Sequence, residues 1–251
     1  MNQFICPLCS GAAEYFDVVD FNKTCEENKG IFLKKAGVPI YYALCEKCQF
    51  CYAPDMILWT PEQFKAHVYN DDYLIVDSEY EEIRPKHNFA LLSSKFGQFK
   101  NDFSHLDYGG GNGNLSSLLK TDGLDSTSYD VFVDQFAAVA LGRQFDLITA
   151  FEVFEHHPDP NRLIKELSEL LTPNGIILFS TILSDGNITP NKRLNWFYAS
   201  PRNGHISLFA KSSLELLARK FEFNLASDWF QYHAFFKTIP VWAQNFLSKT
   251  S

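Results

Sequence analysis

The sequence predicts an α/β protein: an open, mostly parallel sheet flanked by helices, preceded by a small β-rich module carrying two cysteine pairs. Three observations predict it. From residue 103 onward, short apolar or β-branched runs alternate with runs of helical period, the order expected of a parallel sheet. A cluster of glycines follows the first of those runs, where such a sheet turns into a helix. Ahead of residue 60 the pattern changes to two Cys-x-x-Cys pairs among short strands and a polar loop over 22–30.

The elements follow in order. Residues 14–21 and 39–44 read as strands of the first module, 1–60. Thr60-Pro61-Glu62-Gln63 opens a helix, with Thr60 as N-cap, Pro61 in the first position and Gln63 closing a capping box. This helix ends near Tyr69. A second begins at Pro85, buries Phe89, Leu92 and Phe96 at spacings of three and four, and stops at Gly97. Residues 61–100 thus form linking helices, and 101–251 the body. There the predicted strands are 103–108, 126–132, 145–151, 175–182, 221–230 and 232–239. The intervening helices run over 115–120, from after Pro158 with Leu163, Ile164, Leu167, Leu170 and Leu171 on one face, and over 212–220. Only 15 residues separate Asp130 from Asp146, too few for a helix, a strand and two loops.

Composition bounds the function. The chain has 251 residues, 46% hydrophobic and 21% charged, enough to bury a real core. Its 22 Lys and Arg face 30 Asp and Glu, a net charge of −8 that speaks against a partner held through its phosphates. Apolar runs such as 175–182 are far shorter than the roughly 20 residues that cross a bilayer. Residues 1–11 lack a basic segment followed by an apolar one, so a cytoplasmic protein with no membrane span is expected. Cys6 and Cys9, then Cys45 and Cys48, stand 35 residues apart as two knuckles, each offering two thiolates to one tetrahedral ion. A structural zinc ribbon is the expectation. Cys25 and Cys51 fall outside this pattern and read as small apolar residues.

Asp107-Tyr108-Gly109-Gly110-Gly111-Asn112-Gly113 lies at the end of the first strand of the body, and Asn114 stands where a dinucleotide fingerprint needs its third glycine. The run resembles motif I of the class I S-adenosylmethionine-dependent methyltransferases. Residues 145–157, with Glu152, Glu155 and His156, resemble the fourth strand and following turn of that superfamily, and 171–180 its next strand. The resemblance covers about 103–239. It implies a Rossmann-like sheet whose third strand is here shortened or missing and whose last strand is antiparallel. It further implies S-adenosylmethionine held by Asp107, Gly109, Gly111, Gly113 and Phe151, with Asp130 on the ribose hydroxyls and Asp134 its rival. Adenine would lie against Phe132 and Phe136 if these are not core residues. Tyr73, or Tyr69 beside it, is the aromatic expected to close over the sulfonium.

The ribbon followed by this body is similar to bacterial methyltransferases that tailor deoxysugars and surface polysaccharides. That similarity implies a small-molecule acceptor, in particular an oxygen of a sugar or nucleotide-sugar. An RNA methyltransferase is the alternative, but residues 1–60 hold five Lys and Arg against seven Asp and Glu. A subunit that binds S-adenosylmethionine without catalysis is another. The loop 184–205, with Arg193, Trp196, Tyr198, Arg202 and His205, is long for a connection and reads as a substrate lid. On a helical turn Glu152, Glu155 and His156 would point the same way, a spacing that suits a divalent cation. His205 is either a further ligand of that cation or, like His156, a general base acting without it.

Overall fold

The computed structural model describes residues 3–99, 101–133 and 142–247; Asp134 and Phe136 lie outside them. The chain forms β1 (Gln3–Ile5), β2 (Ala12–Asp20), β3 (Pro39–Cys45), β4 (Cys51–Tyr52), α1 (Pro61–His67), α2 (Tyr73–Val76) and α3 (Ile83–Phe96). It continues with β5 (Ser104–Tyr108), α4 (Asn114–Thr121), β6 (Asp125–Tyr129), β7 (Phe145–Ala150), α5 (Pro160–Leu170) and β8 (Leu171–Ser180). The last elements are β9 (Ser207–Leu208), α6 (Lys211–Lys220), β10 (Asn224–Ser227), β11 (Tyr232–Phe236) and α7 (Gln244–Leu247). Among the described residues no helix is long and apolar enough to cross a membrane.

These elements gather into two compact units, and the division is not linear in sequence. The first takes Met1–Ser78, Phe154–Leu163 and Ile182–Leu217; the second takes Glu79–Val153, Ile164–Thr181 and Ala218–Ser251. The boundaries read from the sequence, at 60 and 100, therefore do not coincide with the compact groupings.

The first unit is built on an antiparallel sheet in the order β1-β2-β3-β4-β9. The ribbon is thus completed by a strand from far down the chain, Cys51 pairing with Leu208 and Tyr52 with Ser207. Leu8, Tyr42, Phe50, Phe154 and Phe209 fill its interior. The expected capping box is present: Gln63 donates its backbone N–H to the Thr60 hydroxyl at 3.3 Å, and Thr60 donates to Gln63 Oε1 at 2.8 Å. The segment read as a lid is a packed wall over its second half, with Leu194, Trp196, Tyr198, Arg202 and His205 all buried. Its carbonyls explain why. Lys23 Nζ donates to Trp196 O at 2.7 Å, Ala199 O at 3.0 Å and Phe197 O at 3.4 Å. Arg202 donates to Val68 O and Asn70 Oδ1, and its neighbour Asn203 to Val76 O, so Arg202 is committed to structure.

The second unit carries a six-stranded sheet in the order β10-β11-β8-β7-β5-β6. β6, β5, β7 and β8 run parallel; β11 returns antiparallel to β8, as expected of the last strand. Among the described residues no strand lies between β6 and β7, in keeping with a missing third strand. The chain crosses from β6 at one side of β5 to β7 at the other, which makes the carboxyl ends of β5 and β7 the switch point of the sheet. β6 stops at Tyr129 rather than near 132, because the Asp130 carboxylate folds back to accept the Phe132 N–H at 2.8 Å. α3 begins two residues before Pro85, a position within the first turn where proline costs no helical hydrogen bond. Leu171, read as the end of a helix, instead starts β8 opposite Phe145. α7 has no counterpart in the sequence reading; Trp242, just before it, stacks on Phe103 at 4.5 Å in a core that includes Leu147 and Leu178.

Lys23→Met removes the donor shared by three carbonyls of the wall. It is expected to cost about 1 to 3 kcal/mol of stability and to raise amide exchange over 196–206, measured by chemical denaturation and hydrogen exchange.

Candidate active site

The second unit contains the glycine turn. Its geometry is dictated by what crowds it. Gly109 and Gly111 have φ of +73° and +55°. A Cβ on Gly109 would lie 2.6 Å from the Val153 side chain, on Gly110 2.4 Å from Ser128 Oγ, and on Gly111 2.2 Å from the Tyr80 hydroxyl. Gly113, also at positive φ, is the N-cap of α4. The Asp130 carboxylate closes the turn by accepting the Gly111 N–H at 2.9 Å. Asp107 lies beneath, 4% exposed, and accepts the Thr149 hydroxyl at 3.1 Å. Burial pushes the Asp107 carboxyl up to about 7, against the Thr149 bond and with the nearby Asp130 charge adding to the rise. Burial raises Asp130 as well, opposed by the Phe132 and Gly111 N–H groups.

The aromatic residue brought onto this turn is Tyr80. The neighbouring Glu81 carbonyl is fastened by Asn114 Nδ2 at 2.7 Å. Tyr73, the residue singled out from sequence, belongs to the first unit, where it is buried against Tyr69, with ring centroids 5.2 Å apart, and donates to Asp77 at 3.4 Å. Tyr80 carries no local signal that separates it from Tyr73; only the fold distinguishes them. Phe151 is buried in the core of the second unit, edge-on to Tyr232.

The first unit holds the other predicted residues, in a different combination from the one expected. Glu155, His156 and His205 bring one ligand atom each to within 4.8 Å of one another. Glu152 does not join them. The expectation required a helical turn over 152–156, but helical geometry covers only Phe154–His156. Glu152 itself is left-handed, φ +53°, and is held by Ser180, whose hydroxyl accepts its N–H at 2.8 Å and donates to its carboxylate at 3.0 Å. Glu155 is fully buried and accepts a short hydrogen bond from the Tyr198 hydroxyl. His205 Nδ1 lies 2.9 Å from the Tyr198 carbonyl, which can only accept, so Nδ1 carries a proton. The His156 and His205 rings meet edge to face at 4.8 Å. The ribbon supports this cluster: Tyr42 donates to the His205 carbonyl at 2.7 Å, and Cys25 Sγ lies 3.1 Å from Ser200 Oγ and 3.7 Å from His205 Nδ1.

The four ribbon cysteines converge. Cys6 and Cys48 sulfurs are 3.8 Å apart and those of Cys9 and Cys45 3.4 Å, close to the roughly 3.8 Å edge of a tetrahedral zinc–thiolate centre with bonds near 2.3 Å. Each knuckle also accepts a hydrogen bond from another segment of its unit, Pro7 O from Asn161 Nδ2 at 2.7 Å and Cys48 O from Ser212 Oγ at 2.9 Å. Cys51 stands apart from the four on β4, where complete burial pushes its thiol well up. A surface depression of about 380 Å³ lined by Asp102, Ser104, Asp125 and Asp146 lies at the amino ends of β5–β7, the end of a parallel sheet that ligands do not use.

An open parallel sheet with a glycine turn and two buried acids at its switch point defines a class I methyltransferase fold. The chain belongs to the methyltransferase-domain family, which it matches over residues 79–228. Its architecture is similar to that of the plantazolicin methyltransferase BpumL in complex with SAH (S-adenosylhomocysteine), with a TM-score of 0.52 and 12% identity over 70% of this chain and 93% of that one, a likeness of fold. Among curated proteins, it is 49% identical over 47 residues to a ubiquinone biosynthesis O-methyltransferase of Pasteurella multocida (strain Pm70), 19% of each chain. It is 31% identical over 101 residues to a protein of the same name from Bordetella avium (strain 197N), 31% of this chain and 42% of that one. The chain thus spans between about a fifth and two fifths of the length of these relatives.

Asp107→Asn removes a carboxylate that is costly to ionise in place. Because the folded-state carboxyl titrates above its unfolded value, that cost is absent at pH 4 and complete above about pH 7. The ligand-free variant is therefore expected to match the parent near pH 4 and to exceed its stability by roughly 1 to 3 kcal/mol at pH 8, read from urea midpoints.

Proposed function

We propose that this protein transfers the methyl group of S-adenosylmethionine to a hydroxyl oxygen of a small molecule. The observation that carries the reading is the glycine turn closed by Asp130 over a buried Asp107 at the switch point of the sheet. The residues suit the cofactor. Asp130 presents a carboxylate to two ribose hydroxyls, Asp107 an acceptor to the methionyl ammonium, and the Gly109–Gly111 backbone a surface that no Cβ covers, with Tyr80 as the flanking aromatic. The cofactor supplies an activated methyl carbon; what remains for the protein is alignment and removal of the acceptor's proton.

That proton is assigned to His205. Its Nδ1 lies on the Tyr198 carbonyl, and Tyr42 and Tyr198 hold the segment that carries it. A second reading has a specific observation behind it: Glu155, His156 and His205 would hold a divalent cation, whose chemistry there would be to lower the pKa of an acceptor hydroxyl. Oxygen as the acceptor atom is supported by the O-methyltransferases that the chain matches in part. A sugar or nucleotide-sugar is the acceptor class we favour, on the similarity of a ribbon followed by this body to sugar-tailoring methyltransferases. Trp196 and Tyr198, buried against each other at 5.2 Å, are not surfaces for sugar stacking, so recognition falls to polar groups. In the ribbon, Cys6, Cys9, Cys45 and Cys48 would hold one zinc as a structural strut.

Three measurements test this reading. Calorimetry with S-adenosylhomocysteine is expected to show at least a tenfold loss of affinity in Asp130→Ala; unchanged affinity would remove its ribose role. A screen of hydroxyl acceptors, sugars and phenols together, is expected to show turnover that survives chelation of divalent cations and drops at least a hundredfold in His205→Gln. Loss on chelation with recovery on adding magnesium would instead establish the cation, and transfer to phenols alone would overturn the sugar class. Metal analysis should find about one zinc per chain, lost together with stability in Cys45→Ser.

A further inference from the structure

A strand buried on both faces is ordinarily apolar, yet β5 carries His105, which is completely buried. Its ring joins three strands. Nδ1 lies 2.7 Å from Ser126 Oγ on β6, and Nε2 lies 2.9 Å from Thr149 Oγ1 on β7. Ser126 continues to Ser116 on α4 at 3.0 Å, and Thr149 reaches Asp107 at 3.1 Å. All five side chains are buried, so a continuous hydrogen-bonded chain runs Ser116–Ser126–His105–Thr149–Asp107 through the sheet and ends at the carboxylate under the glycine turn. Burial holds the His105 ring neutral, with a pKa near 3. A neutral imidazole has one donor and one acceptor nitrogen, and each hydroxyl in the chain donates once, so the chain has a direction.

The links can run in either of two directions. With Asp107 ionised, Thr149 donates to it, His105 donates from Nε2 to Thr149, Ser126 donates to Nδ1, and Ser116 donates to Ser126. With one proton added on the Asp107 oxygen that faces Thr149, every bond reverses: Asp107 donates to Thr149, Thr149 to Nε2, His105 from Nδ1 to Ser126, and Ser126 to Ser116. The two states differ by one proton on the carboxyl and by the tautomer of an uncharged ring.

We propose that His105 and Thr149 are positioning residues for cofactor binding, a buried relay in which the tautomer of His105 is locked to the protonation of Asp107. The proposal rests on the reading that Asp107 receives the methionyl ammonium, which requires the ionised state. The charged group that faces Asp107 is Asp130, and the groups that reach His105 from β6, β7 and, through Ser126, α4 are uncharged hydroxyls. The acceptor charge is therefore set from inside the sheet, with cofactor affinity rising as pH climbs through the Asp107 titration.

Ring-nitrogen NMR of the ¹⁵N-histidine-labelled full-length protein from pH 6 to 8.5, with His105→Gln to assign the signal, decides the matter without cofactor. The expected result is a neutral ring throughout that changes from the Nδ1–H to the Nε2–H form as pH rises. The midpoint should coincide with that of S-adenosylhomocysteine affinity measured by calorimetry. Thr149→Val cuts the chain and removes the donor to Asp107; its affinity midpoint should move up by about one pH unit, with roughly tenfold weaker binding at pH 7, and Thr149→Ser should restore both. A tautomer constant across the range, with Thr149 turned instead to the Leu106 carbonyl at 3.5 Å, would overturn the relay. So would a Thr149→Val profile identical to the parent's. If the parent binds no S-adenosylhomocysteine while the tautomer still switches, the cofactor reading fails and with it the positioning role, whereas a fixed tautomer with normal binding sinks the relay alone.

Discussion

Strand β5 has parallel partners on both sides, β6 and β7, and the chain leaving its carboxyl end has to turn in a space already occupied. Val153, Ser128 and Tyr80 each stand where a side chain on the turn would have to go, one against each of three successive glycines. Asp107 is forced below the turn and out of water. Much of the second unit answers to this crowding: the amide of Gly111 satisfies Asp130, the hydroxyl of Thr149 satisfies Asp107, and the raised carboxyl pKa is the electrostatic residue of the arrangement. A buried acid destabilises the fold when ionised, a state that a bound cation relieves. Under the proposed function, stability and cofactor recognition would therefore pull on the same carboxylate in opposite directions.

The first unit obeys a different constraint, the need of the segment 194–206 for partners. A stretch this irregular buries many backbone carbonyls outside any sheet, and each requires a donor. The ribbon supplies them. Lys23, Tyr42 and the backbone amide of Cys25 reach out of the ribbon to Trp196, Ala199, His205 and Asn203. The net acidity of the ribbon is no obstacle in this role, since its contacts are hydrogen bonds to the chain's own polar groups.

The alternation of strands and helices, the capping box at Thr60 and the convergence of four cysteines were legible because each depends on local period or spacing, while the antiparallel return of the last strand came from the family resemblance. What escaped depends on pairing at a distance. Nothing in Ser207–Leu208 marks two residues as the strand that completes a sheet begun at residue 3, and nothing in Tyr80 marks it rather than Tyr73 as the aromatic on the glycine turn. The Glu152 expectation failed for a local reason: helical spacing was carried across a left-handed residue, and one such residue reverses the chain enough to place two acids three apart on different partners. His105 passed unnoticed because a lone histidine in an apolar strand has no pattern; its partners lie on neighbouring strands at register positions that only pairing reveals.

The pairing of β4 with β9 also sets an order of events. The ladder joins Cys51 to Leu208, so the sheet begun by β1 cannot be finished until residue 208 has been made. Until then the edge of β4 is an unsatisfied row of amides and carbonyls, open to pairing with a neighbouring nascent chain. The four cysteines, in contrast, all lie between residues 6 and 48. A metal captured there would pin β2 and β3 in register before β9 is made, giving the early chain a folded nucleus.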